Sequence, residues 1–172
     1  MLKLNRLTDT AIEPTYATEG SAAFDLSADF INREVYVYFE ENCQEVKAFY
    51  GFSNPANPVL ILEPGERAII PSGWFFEIEP GWQLDVTPRS GNASRNGITI
   101  TNSPGIIDSD YTGETFIIVQ NSGHDDFVIN HGDRIAQAQM KPVYRAPCIK
   151  TREGKVRTSG DAGGLGSTGK GE

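Results

Sequence analysis

Asn102-Ser-Pro-Gly-Ile-Ile-Asp-Ser-Asp-Tyr-Thr-Gly-Glu114 is the stretch on which the reading of this chain turns. It places a side-chain amide, two carboxylates and a phenol within the ten residues from Asn102 to Tyr111. Pro104-Gly105 signals a turn at its front and Thr112-Gly113 another at its back. Gly97-Ile-Thr-Ile-Thr101 enters it and Thr115-Phe-Ile-Ile-Val119 leaves it, both with strand-like composition. The expectation is a β-hairpin with a polar tip, a good place for a site because stiff strands hold it.

The side chains at this tip suit a pyrimidine nucleotide. A uracil edge offers an acceptor, a donor and an acceptor, and the Asn102 amide can meet groups of either kind. The Tyr111 ring suits a deoxyribose face, and a fixed Asp108 could take a proton from water. For Asp-Ser-Asp alone an ordinary surface turn is the commoner explanation, since Asp and Ser are frequent turn formers. Upstream, Ser90 and Gly91 are expected to open a short helix that Gly97 ends. With Arg89 they would form an anion cradle; alone, Arg-Ser-Gly reads as well as a capped turn.

Composition narrows the classes. At 172 residues, with 18 Gly, 10 Pro and no long apolar helical pattern, the chain suits one domain of many short strands. The net charge of −8 argues against broad nucleic-acid binding. It also means that a triphosphate site would need a local cation cluster, for which Arg89, Arg134, Arg157 and Lys170 are candidates. No apolar run spans a membrane and the N-terminus lacks a signal-peptide core, so a cytoplasmic protein is expected. Cys43 and Cys148 are expected to be reduced, small apolar residues, and His124 and His131 to be solvated loop residues. No H-x-E with a C-x-x-C partner is present, so zinc deaminase chemistry is absent.

Punctuation by Gly and Pro divides the chain into strands at 24–28, 59–62, 67–71, 74–79, 82–86 and 127–130, with another starting at 132–137. That spacing points to a sandwich or jelly-roll-like barrel. Asp25 lies between Phe24 and Leu26 and would be costly to bury without a partner. Glu34–Glu40 and Glu45–Tyr50 read as an extra hairpin within residues 30–62. Its neighbourhood carries Tyr36, Tyr38, Phe39, Phe49, Tyr50 and Phe52, either packed on the barrel wall or exposed as a patch for a protein partner. Residues 151–172 are Gly-rich at their end, cannot build a core and are expected to be a mobile arm beyond a domain of residues 1–150. Gly164-x-Gly166-x-x-Gly169 formally fits the dinucleotide fingerprint, but no following helix or βαβ unit accompanies it.

Gly105–Glu114 resembles the third motif of the trimeric dUTPases, enzymes that split dUTP into dUMP and pyrophosphate. Four further segments match that family in order: Ala22–Ala28, Pro88–Gly91, Gly132–Gln137 and Gly164–Gly169. The resemblance implies an all-β, jelly-roll-like dUTPase barrel with one short helix and a flexible C-terminal arm. It implies Asp108 as the base that activates water, with Asn102 reading uracil, Tyr111 the sugar, and Gly105 and Ile107 completing the nucleotide pocket. Arg89, Ser90, Gly91, Gln137 and Arg157 would bind phosphates, and Asp25 would reach Mg²⁺ through water. It further implies a homotrimer with shared sites, the Asp133–Arg134 pair supporting the subunit contact, and an arm in which Leu165, Gly166, Ser167 and Thr168 cover the nucleotide.

Two departures stand out. Leu165 occupies the place of a Phe that stacks on uracil, forgoing an interaction worth roughly 1–3 kcal/mol per base elsewhere. Arg157 lies about three residues further from that position than is usual in the family. A related alternative is a dCTP deaminase, which carries a second Ser where Gly91 stands and uses a Glu as proton shuttle. A nucleotide-gated interaction protein, contacting its partner through 30–62, is the alternative of a different class.

Overall fold

The computed structural model describes residues 1–39, 43–47 and 58–150. These residues form thirteen strands and one helix. The strands are β1 (Leu2–Arg6), β2 (Phe24–Ser27), β3 (Val35–Phe39), β4 (Cys43–Lys47), β5 (Val59–Leu62), β6 (Arg67–Pro71) and β7 (Trp74–Ile78). Then come β8 (Trp82–Pro88), the helix α1 (Ser90–Asn96), β9 (Ile98–Ile100), β10 (Gly105–Ile107), β11 (Phe116–Asn121), β12 (Phe127–Asn130) and β13 (Arg134–Pro142).

Four antiparallel sheets result, consistent with the all-β, jelly-roll-like fold expected, although they do not join into one closed barrel. The larger two run β10-β8-β13-β2 and β4-β3-β6-β11-β9; β1 pairs with β7, and β12 with β5. Alternation decides which side chains enter the core. In β7, Trp74, Phe76 and Ile78 are buried while Glu77 faces solvent; in β11, Ile117 and Val119 are buried between exposed or half-buried neighbours. The core gathers Leu26, Phe30, Leu60, Leu62, Ile70, Leu84, Ile129 and Ile135 from strands and links of several sheets. Burying a side chain such as Phe76 contributes about 1.5–3 kcal/mol, so the apolar faces hold the sheets together.

The hairpin expected around residues 97–119 exists, because β9 and β11 pair with Ile100 opposite Val119. Its tip is more than a turn. β10 leaves it and pairs with β8 in the other large sheet, Gly105 opposite Val86 and Ile107 opposite Leu84. The tip is therefore fastened to both large sheets.

The extra hairpin also forms, with a shorter connection than expected: β4 starts at Cys43, which stands opposite Phe39. Its β3 strand adds to β6 at the end of the five-stranded sheet. Val35 and Val37 enter the core, whereas Tyr36 and Phe39 are exposed and Tyr38 lies under the Arg67 guanidinium, 5.5 Å from ring centroid to cation. The β-branched residues thus carry the packing, and two of the aromatics face outward. Phe49, Tyr50 and Phe52, like the whole arm 151–172, lie outside the described residues.

One expectation needs correcting. His131 is not a solvated loop residue: its ring is largely buried edge-on to Phe30, and Nδ1 lies 3.7 Å from Asp29 Oδ1. Its burial follows from the tight Asn130–Asp133 turn, which carries the ring back over Phe30. Cys148 is a free thiol, as expected, and lies exposed. No helix among the described residues is long and apolar enough to cross a membrane.

Candidate active site

The tip of the β9–β11 hairpin encloses a cavity of about 250 Å³. Asn102, Gly105, Ile107, Asp108 and Tyr111 all line it. Ile69, Val86, Ile100 and Ile118 form apolar wall, and Glu114, Thr115 and Phe116 close one side. A mostly apolar hollow with a few convergent polar groups is the usual form of a small-molecule site.

Local geometry explains several of these residues. A Cβ on Gly105 would stand 3.1 Å from the Asn102 Nδ2, so glycine leaves the amide lying against the strand. The Tyr111 N–H donates to the Asp108 carbonyl at 3.2 Å, closing a turn that presents the Asp108 carboxylate on the surface. Tyr111 Oη donates to the Glu114 carbonyl at 2.8 Å. Gly113 makes room for that contact, since a Cβ there would stand 2.6 Å from the phenol oxygen. Thr115 is buried, and its hydroxyl has no hydrogen-bond partner among the described residues.

A second group assembles on the sheet β8-β13-β2. Asp25 stands opposite Gln137, and Gln137 opposite Thr87, so one cross-strand row carries the acid and the amide. Arg89 Nε donates to Asp25 Oδ1 at 2.7 Å, and Arg134 Nη1 to Oδ2 at 3.0 Å. The acid expected to be costly in this strand is thereby matched by two guanidiniums. Gln137 Nε2 donates to the Pro88 carbonyl at 3.0 Å, tying β13 to the start of α1. Arg89 is the N-cap residue of that helix, with extended backbone and no side-chain cap, and Gly97 ends it in the left-handed region at φ 68°.

Sequence reading had set Arg134 beside Asp133. The two separate in the fold: Asp133 Oδ2 accepts from the Asn130 N–H at 2.8 Å and closes a local turn, while Arg134 turns to Asp25. Arg89, Ser90, Gly91 and Gln137 do not line the hairpin cavity. One chain thus carries an apolar-walled hollow and a separate corner of two guanidiniums around Asp25. Arg157, Leu165, Gly166, Ser167 and Thr168 lie outside the described residues.

Sequence reading missed a third group. Arg33 forks onto Glu114, Nη1 to Oε1 at 2.8 Å and Nη2 to Oε2 at 2.5 Å, and its Nη1 also reaches Asp29 Oδ2 at 3.2 Å. The bonds to Glu114 raise the Arg33 pKa above its ordinary value, outweighing the lowering effect of partial burial. Asp29, fully buried, also accepts from the hydroxyls of Thr8 and Thr10. Arg33 lies 81 residues from Glu114 in the chain and belongs to no motif, so no sequence signal marks the pair.

Fold and cavity are those of an all-β protein with a small-molecule site at a hairpin tip. The sequence model of the dUTPase family matches residues 42–169. The deoxyuridine 5'-triphosphate nucleotidohydrolase of Nautilia profundicola is 38% identical over 169 residues, 98% of this chain and 99% of that protein. Its counterpart in Agrobacterium fabrum is 42% identical over 145 residues, 83% of this chain and 78% of its own. Among solved structures, a dUTPase of Staphylococcus bacteriophage 80alpha, determined with dUpNHpp, matches with a TM-score of 0.71 at 19% identity, covering 98% of each chain. The dUTPase of phage phi11 of S. aureus, described with a species-specific insert, gives 0.67 at 20% identity, covering 90% of this chain and 98% of its own. The chain belongs to the dUTPase family, and its reaction is the hydrolysis of dUTP to dUMP.

Proposed function

We propose that uracil and deoxyribose sit in the hairpin cavity, with Asn102 on the base edge, Tyr111 against the sugar, and Gly105 and Ile107 shaping the hollow between them. The observation that carries this reading is the convergence of Asn102, Gly105, Ile107, Asp108 and Tyr111 on one cavity. Asp108 accepts a proton from water as the water oxygen bonds to the α-phosphorus. The bond from that phosphorus to the bridging oxygen breaks, and pyrophosphate leaves with the electron pair. Arg89, Ser90 and Gln137 meet the phosphate charge, which positioned donors stabilise as it develops.

The donor set of the described residues suits a Mg²⁺ held through water. Both Asp25 oxygens already accept from arginines, and no group of three His, Cys, Asp or Glu able to hold a metal occurs among the described residues. Asp25 would help hold such an ion through a water, the substrate phosphates supplying its other support. When bound, the ion supplies charge neutralisation to the phosphates.

The separation of cavity and cationic corner supports a homotrimer in which neighbouring chains complete each other's sites. Exposed Ile106 and Phe116 at the cavity rim, with Tyr144 and Ile149 bare after β13, are surface that a neighbouring subunit would cover. Arg157, Leu165, Gly166, Ser167 and Thr168 would then close over the nucleotide from the arm. Asp108→Asn tests the chemistry: dUTP turnover should fall about 10²–10⁴-fold with KM little changed. Near-full turnover would sink the assignment.

A further inference from the structure

Tyr111 is held by a chain of contacts that begins outside every family motif. Its hydroxyl donates to the Glu114 carbonyl, and the Glu114 side chain is gripped at both oxygens. Oε1 accepts from the Gly73 N–H at 2.7 Å and from Arg33 Nη1 at 2.8 Å; Oε2 accepts from Arg33 Nη2. Arg33 is itself anchored on buried Asp29, whose carboxylate also accepts from the hydroxyls of Thr8 and Thr10 and lies beside His131. Just beyond, the Thr115 N–H donates to the Trp74 carbonyl at 2.9 Å. Residues 114–115 are therefore fixed, and Tyr111 leans on the fixed part.

We infer that Arg33 is a positioning residue for sugar discrimination, acting through Glu114 to hold the Tyr111 ring against the deoxyribose. This rests on Tyr111 as the sugar reader, as proposed above. The physical reason is geometric. A planar guanidinium can grip both carboxylate oxygens at once, so it fixes orientation as well as distance, which an ammonium cannot do. A phenol otherwise half exposed would be free to swing and admit a 2′-hydroxyl. Arg33 also lies two residues before β3, so the segment that departs most from the family supplies a support for the nucleotide pocket.

The test compares kcat/KM for dUTP and for UTP in the full-length chain carrying Arg33→Ala, Arg33→Lys, Tyr111→Ala or Tyr111→Phe. Arg33→Ala and Arg33→Lys should each lower the dUTP-over-UTP ratio by about 5–30-fold, the factor given by a lost contact of one to two kcal/mol. A merely structural role would reduce the active fraction for both nucleotides alike and leave the ratio alone. In the Tyr111→Phe background the link is already cut, so Arg33→Ala should add little; full additivity would overturn the inference. Should Arg33→Ala not fold, Glu114→Gln weakens the same fork and should lower the same ratio. An unchanged ratio in the Arg33 variants, with a lowered one in Tyr111→Ala, defeats the role of Arg33 and spares the site. An unchanged ratio in Tyr111→Ala defeats both.

Discussion

Tyr111 and Gly113 show how finely the pocket depends on single atoms. The space between them holds nothing larger than hydrogen, because a Cβ on Gly113 would meet Tyr111 Oη at 2.6 Å and Cζ at 2.8 Å. Gly113 does not occupy the left-handed region, so alanine is tolerable to its backbone. The conflict falls on the outer end of a half-exposed ring, which can move aside by exchanging its bond to the Glu114 carbonyl for one to water. Gly113→Ala should therefore leave thermal stability within about 0.5 kcal/mol, as for other surface changes. It should raise KM for dUTP as the ring loses its seat. A melting curve beside a substrate titration checks this, and a large loss of stability with unchanged KM would contradict it. The glycine was legible in the sequence as a turn signal. Its second task, clearing the phenol, was not, because that contact depends on how the turn folds back.

At the level of elements, the hairpin β9–β11 was readable because both strands carry β-branched residues on either side of strong turn signals. β10 was not. Gly105-Ile-Ile107 is too short to show alternation, and what makes it a strand is its partner β8, nearly twenty residues earlier. The same limit hid Arg33 and Glu114, which are joined by tertiary contact alone. A pH effect belongs at this scale, on the β1–β7 pair. Its outer surface is tied by Lys3 Nζ donating to Glu77 at 2.9 Å, by Asn5 at 3.1 Å, and by the N-terminal ammonium on Glu79. The Lys3 hydrogen bond, then that of Asn5, holds the Glu77 pKa below its ordinary 4.5; the ammonium does the same to Glu79. Depressed carboxylates contribute stability above their unfolded values, and that contribution is lost as pH falls through the folded ones. Both groups are fully exposed, so the effect should be confined to β1 and weakened by salt. Amide signals of Leu2–Arg6 should broaden or shift below about pH 4, before the core melts. Loss of β1 and β6 signals together would show instead that acid acts on the whole fold.

For the whole molecule, the distribution of charge and apolar surface sets the problem of assembly. The chain carries a net charge of −8, yet its substrate is a polyanion. Arg89 and Arg134 form a local positive corner, and both are partly neutralised by Asp25. Arg157 and Lys170 of the arm are candidates for the further cations that a triphosphate calls for. Five motifs in order made the family legible, and the resemblance implied shared sites, but the distance between cavity and corner within one chain depends on tertiary packing that no local pattern carries. In the homotrimer proposed above, catalysis would depend on association, and the arm would act on a neighbour's site. Removing residues 151–172 should then cut dUTP turnover severely while sedimentation still gives a trimer, since the strands and exposed apolar surface of residues 1–150 remain. Mixing the truncated chain with an Asp108→Asn chain should restore activity. In mixed trimers, an intact arm from the second can close over a site whose base comes from the first. Failure of the mixture to regain any activity, with subunit exchange verified, would show that each arm serves only its own chain.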